Sequence, residues 1–209
     1  QEAWEKIMSS LGINNNDDIL IYDNSDLKSS CRCWFSLLYF GHDEKKIHIL
    51  NGGLKKWIFE NKPITKDTTE IIESNYVANE KENLVVSFDQ IKKNILSKSF
   101  NVIDARSLER FEGKVSEPRK GLRSGHIQNS FCLPFNLCIN QKTGEFKNLE
   151  ELRELFNQNE NIEKRLDQVF TCGSGVTAAV LAYAYKMVNN DYIPKIYDGS
   201  WSEYGKYPA

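Results

Sequence analysis

The sequence predicts an α/β fold made of two repeated units, with mostly parallel sheets flanked by helices. Three observations carry that expectation. Short apolar strand-like runs alternate with helical patterns, and such alternation brings parallel strands together through helical crossovers. The order strand, loop, helix, strand, glycine turn, tryptophan occurs twice, over 18–57 and again over 167–201. With 209 residues, 40% hydrophobic and 27% charged, the chain has the apolar content for a buried core and lacks the composition of a disordered segment.

The elements follow in order. A short helix is expected over 2–11. Asp18-Ile-Leu-Ile-Tyr-Asp23 reads as a buried strand, 24–29 as a loop, and the stretch to Phe40 as a helix with Trp34, Leu37 and Leu38 on one face. Lys46-Ile-His-Ile-Leu50 is a second strand, followed by the turn Asn51-Gly52-Gly53 and Leu54-Lys-Lys-Trp57. Ser87 and Gln90 form a capping box before Ile91, Ile95 and Leu96, which starts a helix at Phe88. Asn101-Val-Ile-Asp104 is a strand, and Phe131 to Leu133 marks the approach to another. Asn148 and Glu151 give a looser cap for a helix over 149–158, with Leu152, Leu155 and Phe156 inward. Asp167-Gln-Val-Phe-Thr171 is a strand, 172–177 a loop, and an Ala-rich helix runs from Ala178 to Val188. Lys195-Ile-Tyr197 then reads as a strand before Asp198-Gly-Ser-Trp201.

Residues 62–82 are rich in Thr, Glu, Lys and Asn and show no sustained period, the mark of a linker. The expected organisation is a partial first unit over 1–61, a linker over 62–83 and a complete second unit over 84–209. The helix and strand that open the second unit have no counterpart before Asp18, so the first unit is expected to be incomplete at its N-terminus. The sequence starts at Gln1 and not at Met, in keeping with an incomplete or excised chain. A half-unit cannot close its own core, and its apolar faces are expected to pack on the second unit or on another chain.

Bulk properties exclude several classes. The 27 basic and 29 acidic residues leave a net charge of −2, which recruits neither nucleic acid nor an acidic membrane. No apolar run approaches the roughly 18 residues of a membrane span. Five cysteines, an odd number, favour a reducing compartment over a disulfide scaffold. Neither Cys31 with Cys33 nor Cys132 with Cys138 has zinc-site spacing, so no structural metal is expected, and all four read as buried small hydrophobes.

The chemistry concentrates in Cys172-Gly-Ser-Gly-Val-Thr177, between a strand and a helix. Two glycines let successive amides turn inward, and the helix that follows adds the positive end of its dipole. Such a cradle stabilises an anion and favours a nucleophilic thiolate on Cys172. The alternative is a strand-end cysteine beside an ordinary glycine turn. A cysteine-dependent phosphatase would need an arginine six positions after the cysteine to grip phosphate, and that position is Ala178.

Cys172-Gly-Ser-Gly-Val-Thr-Ala178, together with Ser124-Gly-His-Ile127 and Tyr197-Asp-Gly-Ser-Trp201, resembles the active half of the tandem-domain rhodanese family of sulfurtransferases, its 3-mercaptopyruvate branch above all. Trp34 to Phe40, Gly41-His42 and Leu50-Asn-Gly-Gly-Leu54 resemble the family's inactive first domain, with Asp23 where the second domain has cysteine. The resemblance covers nearly the whole chain.

It implies that Cys172 accepts sulfur from 3-mercaptopyruvate as a persulfide, releases pyruvate, and passes the sulfur to a thiol acceptor such as thioredoxin, or to cyanide. The loop residues Gly173, Gly175, Val176 and Thr177 would hold the substrate. Ser174 matches a serine that handles protons with a His and an Asp, but these lie in a stretch without counterpart here. Arg110 and Arg119 match the family's substrate-binding arginines, and guanidinium forks suit an α-keto carboxylate. Both also read as surface arginines paired with Glu109, Glu112 or Glu117. Asp104 resembles a position that supports the active-site loop by hydrogen bonding or ion pairing. His126, His42 and His48 read as structural. The neutral Gly173-Ser174 pair favours mercaptopyruvate over the thiosulfate dianion; a thiosulfate sulfurtransferase and a non-catalytic, partner-binding pair of units remain open. No metal, nucleotide or organic cofactor is implied, and the family's compartments are cytoplasm and mitochondrion.

Overall fold

The computed structural model describes residues 1–26, 28–158, 160 and 162–207. Leu27 of the predicted loop, Asn159, Asn161 and the last two residues of the predicted second unit lie outside them. The first half contains α1 (Glu2–Ser10), β1 (Ile19–Ile21), α2 (Ser30–Tyr39), β2 (Ile47–Ile49) and α3 (Gly53–Phe59). The second contains α4 (Phe88–Ser97), β3 (Phe100–Asp104), α5 (Leu108–Phe111), β4 (Ser130–Cys132), α6 (Leu149–Asn157), β5 (Asp167–Thr171), α7 (Val176–Val188) and α8 (Ser200–Tyr204). Among the described residues the strands pair in parallel, as the βα alternation predicts: β1 with β2, and β3 with both β4 and β5. Single bridges from Phe170 to Ile196 and from Ile196 to Val85 widen the second sheet by two positions. No helix among the described residues is long and apolar enough to cross a membrane.

Local chemistry accounts for most boundaries. Ser87 and Gln90 make the reciprocal capping box that starts α4. Asn148 and Glu151, a looser signal in the sequence, close an equally complete box at α6. Leu96 faces solvent, because it stands about 140° around the helix from the buried Ile91 at 100° per residue. The predicted strand 195–197 reduces to one bridging residue, Ile196, since Pro194 before it has no N–H to give a ladder and the Asp198-Gly199 turn follows at once.

Helix α7 is apolar on every side: Ala178, Ala179, Val180, Leu181, Ala182 and Ala184 are all fully buried. Such a helix needs cover on every side. The sheet and α6 cover part of it, and α2 of the first half covers the rest, with Trp34 set edge-on to Tyr183 at 5.0 Å. Small alanines allow this close approach. One continuous core therefore runs from Cys31, Trp34, Phe35 and Leu38 into α7 and Phe170, and the first half buries its apolar face on the second. A separate cluster of Val86, Ile91, Val102, Ile127, Val169, Tyr197 and Trp201 fills the other face of the sheet.

Residues 62–81 form no helix or strand. From Ser74 onward they nevertheless lie along the first half. Ser74 and Tyr76 donate backbone bonds to Ser9, Ala78 to the Glu5 carboxylate, and Asn79 and Lys81 to the carbonyls of Phe40 and Tyr39. Tyr76 is buried, and its hydroxyl meets His42 Nδ1 at 3.3 Å.

Candidate active site

Strand β5 ends at Thr171 and delivers Cys172, 2% exposed, to the turn that starts α7. The helix begins at Val176, two residues before the predicted start, because Gly175 takes the left-handed conformation (φ 77°) and caps it. Val176 and Thr177 thus belong to the first turn of the helix and not to the loop. Cys172 Sγ accepts a bond from the Ser174 amide at 3.4 Å. The Ser174 hydroxyl has no hydrogen-bond partner among the described residues.

The hydroxyl that braces the loop belongs to Ser200. Its Oγ accepts from the amides of Cys172 (3.3 Å) and Gly175 (3.0 Å) and from the Thr171 hydroxyl, and donates to the Tyr197 carbonyl at 2.9 Å. Ser200 is fully buried and holds φ at 52°, a left-handed conformation that costs an L-residue about 1–2 kcal/mol. Four hydrogen bonds hold it there. The amides of Trp201 and Ser202 bind the carbonyls of Cys172 and Gly173, both at 2.9 Å, so the start of α8 is laced to the loop.

Two arginines overhang this turn. A Cβ placed on Gly173 would lie 3.1 Å from Arg110 Nη2 and 3.6 Å from Arg119 Nη1, so both guanidinium groups stand over the residue next to the cysteine. A side chain at position 173 would push into them. Arg110 is held by Glu117 through two bonds, 3.2 Å from Nε and 2.6 Å from Nη2. Glu117 also receives Arg106 Nη1 at 2.9 Å, and Arg106 forks onto Asp104, caps the Gly125 carbonyl and lies 4.5 Å over the Trp201 ring. Burial pushes the Glu117 carboxyl up, but the two arginines outweigh it and leave it below the ordinary carboxylate value.

Asp104 forms an ion pair with Arg106. Its carboxylate bonds run to Arg106 and reach no atom of 172–177, so the chain of contacts from Asp104 to the Gly173 turn passes through Arg106, Glu117 and Arg110. Arg119 has no ion-pair partner among the described residues. Burial pushes the Cys138 thiol up to about 12, and burial followed by the Asp104 charge does the same for Cys132. Cys31 is raised by burial and by Asp23. Cys33 is exposed and not a buried hydrophobe, since two residues along a helix turn it about 200° away from Cys31. His126 Nδ1 meets the Phe111 carbonyl at 2.8 Å and its ring stacks on Phe111, a structural role. No group of His, Cys, Asp and Glu among the described residues is arranged to hold a metal.

Ser200 and Arg106 were given no role of their own in the sequence, whereas Glu117 was named there as a pairing partner of Arg110, and the structure forms that pair. The Tyr-Asp-Gly-Ser-Trp run contained a signal, since a serine after Asp-Gly at a turn invites backbone capping.

The model of the rhodanese-like domain family matches residues 1–60 and 87–207. The chain belongs to the rhodanese family. Among relatives of this rhodanese chain, thiosulfate/3-mercaptopyruvate sulfurtransferase 2 of Arabidopsis thaliana is 38% identical over all of it, and human 3-mercaptopyruvate sulfurtransferase is 34% identical over 97%. The chain spans 66% of that Arabidopsis relative, 67% of the human one, and 59% of the mitochondrial Arabidopsis sulfurtransferase 1. The crystal structure of SseA from Escherichia coli, described with the fold and mechanism of 3-mercaptopyruvate sulfotransferases, superposes with a TM-score of 0.82 at 31% identity over 96% of this chain and 73% of that one. The Tum1 protein of Saccharomyces cerevisiae gives 0.86 at 26% identity, over 97% and 71%.

Proposed function

We propose that this rhodanese chain carries the catalytic site of a sulfurtransferase that takes sulfur from 3-mercaptopyruvate. The Cys172 thiolate attacks the mercapto sulfur and the carbon–sulfur bond breaks. Its electron pair leaves on carbon as the pyruvate enolate, which takes up a proton to give pyruvate. Cys172 is left as a persulfide. An acceptor thiolate, such as that of a thioredoxin, or cyanide then attacks the outer sulfur and the Cys172 thiolate departs. The loop amides and the N-terminus of α7 stabilise the negative sulfur at both stages. Ser174, whose hydroxyl stands free beside the cysteine, is assigned to the proton at the mercapto group. Gly173, Gly175, Val176 and Thr177 provide the backbone of the substrate cradle.

The charge balance over Gly173 carries the choice of donor. Asp104 and Glu117 offset Arg106 and Arg110, and Arg119 is left over, one net positive charge within the group. That matches the single carboxylate of 3-mercaptopyruvate better than the two charges of thiosulfate. Arg119 and the outer edge of Arg110 bind the carboxylate and keto oxygens. The relatives' names support both donors, and one of the Arabidopsis pair is mitochondrial, in line with a cytoplasmic or mitochondrial setting.

The test is pyruvate release from 3-mercaptopyruvate with a thiol acceptor, beside thiocyanate formation from thiosulfate and cyanide, for this chain and for Cys172→Ser. The expected result is pyruvate release that Cys172→Ser abolishes, with thiosulfate turned over far more slowly. Faster turnover of thiosulfate would reverse the donor assignment. Silence of the folded chain on both donors would overturn the reading and leave a partner-binding module.

A further inference from the structure

We infer that Arg32, contributed by the first half of the chain, is a positioning residue for the Cys172 loop, acting through Asp198 and the carbonyl of Gly175. The inference rests on the reading of Cys172 as the sulfur carrier. Arg32 lies in the first turn of α2, and its Nη1 donates both to the Asp198 carboxylate and to the Gly175 carbonyl, the latter at 3.4 Å. Other polar contacts between the halves, such as Asn51 with the Phe146 amide and Lys56 with Glu145, lie away from the cysteine.

The consequence comes from peptide geometry. The Gly175 amide is held by Ser200 on one side, and its carbonyl by Arg32 on the other, so the two peptide planes that flank Gly175 are both fixed. In a trans peptide the C=O and the next N–H point in opposite directions. By holding the Gly175 carbonyl, Arg32 sets the direction of the Val176 amide, the first N–H of α7 and part of the anion cradle. The space there is filled: a Cβ on Gly175 would come within 2.5 Å of Asp198 Oδ1 and 2.7 Å of Arg32 Nη1. Asp198 also sits two residues before Ser200, so the ion pair steadies the segment that carries the bracing hydroxyl. The first half therefore takes part in the chemistry without touching substrate.

Arg32→Met, Asp198→Asn and the double variant test this in the full chain. The readouts are kcat and KM for 3-mercaptopyruvate, the rate of iodoacetamide alkylation at Cys172 followed by peptide mass spectrometry, and the thermal midpoint. Arg32→Met is expected to lower kcat about tenfold or more, as misplacing a reacting group does, with KM within about twofold and slower alkylation of Cys172. The double variant is expected to lose no more than the worse single variant, because the two residues act as one unit. Wild-type kcat and alkylation rate in Arg32→Met would overturn the inference. So would losses in Arg32→Met and Asp198→Asn that multiply in the double variant. If the unmodified chain releases no pyruvate but its alkylation rate still drops in Arg32→Met, the proposed reaction fails and the positioning role stands. Should Arg32→Met not fold, Asp198→Asn with the same readouts decides.

Discussion

The molecule contains the same turn twice, and the two versions solve one problem differently. In the first half, the Leu54 amide bonds the Asp23 carbonyl at 2.9 Å; in the second, the Trp201 amide bonds the Cys172 carbonyl at the same distance. Gly53 (φ 62°) precedes Leu54 as Ser200 (φ 52°) precedes Trp201, so one left-handed position recurs. The difference lies in who satisfies the amides at the start of the next helix. Asp23 does so itself, its carboxylate taking the amides of Ser25 (3.3 Å) and Ser30 (2.7 Å), while Gly53 has no side chain to help. In the second half Ser200 takes over that task, and the side chain at the strand end is released from it. A bracing group supplied from another segment leaves Cys172 Sγ with a single amide contact.

A second difference is the ion network of Asp104, Arg106, Glu117 and Arg110, for which the first half has no counterpart among the described residues. Removing one partner of a buried charge set leaves the others unpaired, which costs about 3–5 kcal/mol. Arg106→Met is therefore expected to give the largest loss of stability, read from urea unfolding, because Asp104 loses its arginine partner and Glu117 one of its two. A variant within 1 kcal/mol of wild type would show that the network does not distinguish the halves energetically.

Converting the second turn toward the first is the next test. Ser200→Ala removes a buried hydroxyl from four bonds and keeps the left-handed backbone, with an expected loss of about 1–3 kcal/mol and slower sulfur transfer. Ser200→Gly copies Gly53 and relieves the backbone by about 1 kcal/mol, so it should unfold later than Ser200→Ala while remaining equally impaired in catalysis. A fully active Ser200→Gly would break the comparison.

The smallest effect concerns pH. Glu117 is held below its ordinary value of 4.5, so its contribution to stability is complete above that value and is lost as pH falls through the depressed native one. The urea midpoint of the chain should fall below about pH 4.5, and Glu117→Gln should begin lower at neutral pH and fall less. An unchanged acid slope in the variant would assign acid unfolding to other carboxylates.

The residues that announce themselves in sequence are those whose partners are near in the chain or whose pattern is periodic. The capping boxes at Ser87 and Asn148, the strand 167–171 and the inward faces of α2 and α6 depend on neighbours three or four residues away. The cradle was legible because Cys172, Gly173 and Gly175 act on their own backbone, and resemblance to the family marked Arg110 and Arg119. The start of α7 was read late because the cap is a left-handed glycine and not a side chain.

What the sequence by itself determined is the α/β alternation, the repeat, the family and the place of the cysteine turn between β5 and α7, since each follows from local periodicity or from a contiguous motif. What only the tertiary structure decided is which distant groups brace the cysteine loop. Ser200 lies 28 residues from Cys172 and Arg32 lies 143 from Gly175. Contacts of that span are set by how strands order and helices dock, which no local pattern encodes. An arginine on the first turn of α2 is ordinary surface until α2 lies on α7; then it stands at the edge of the site.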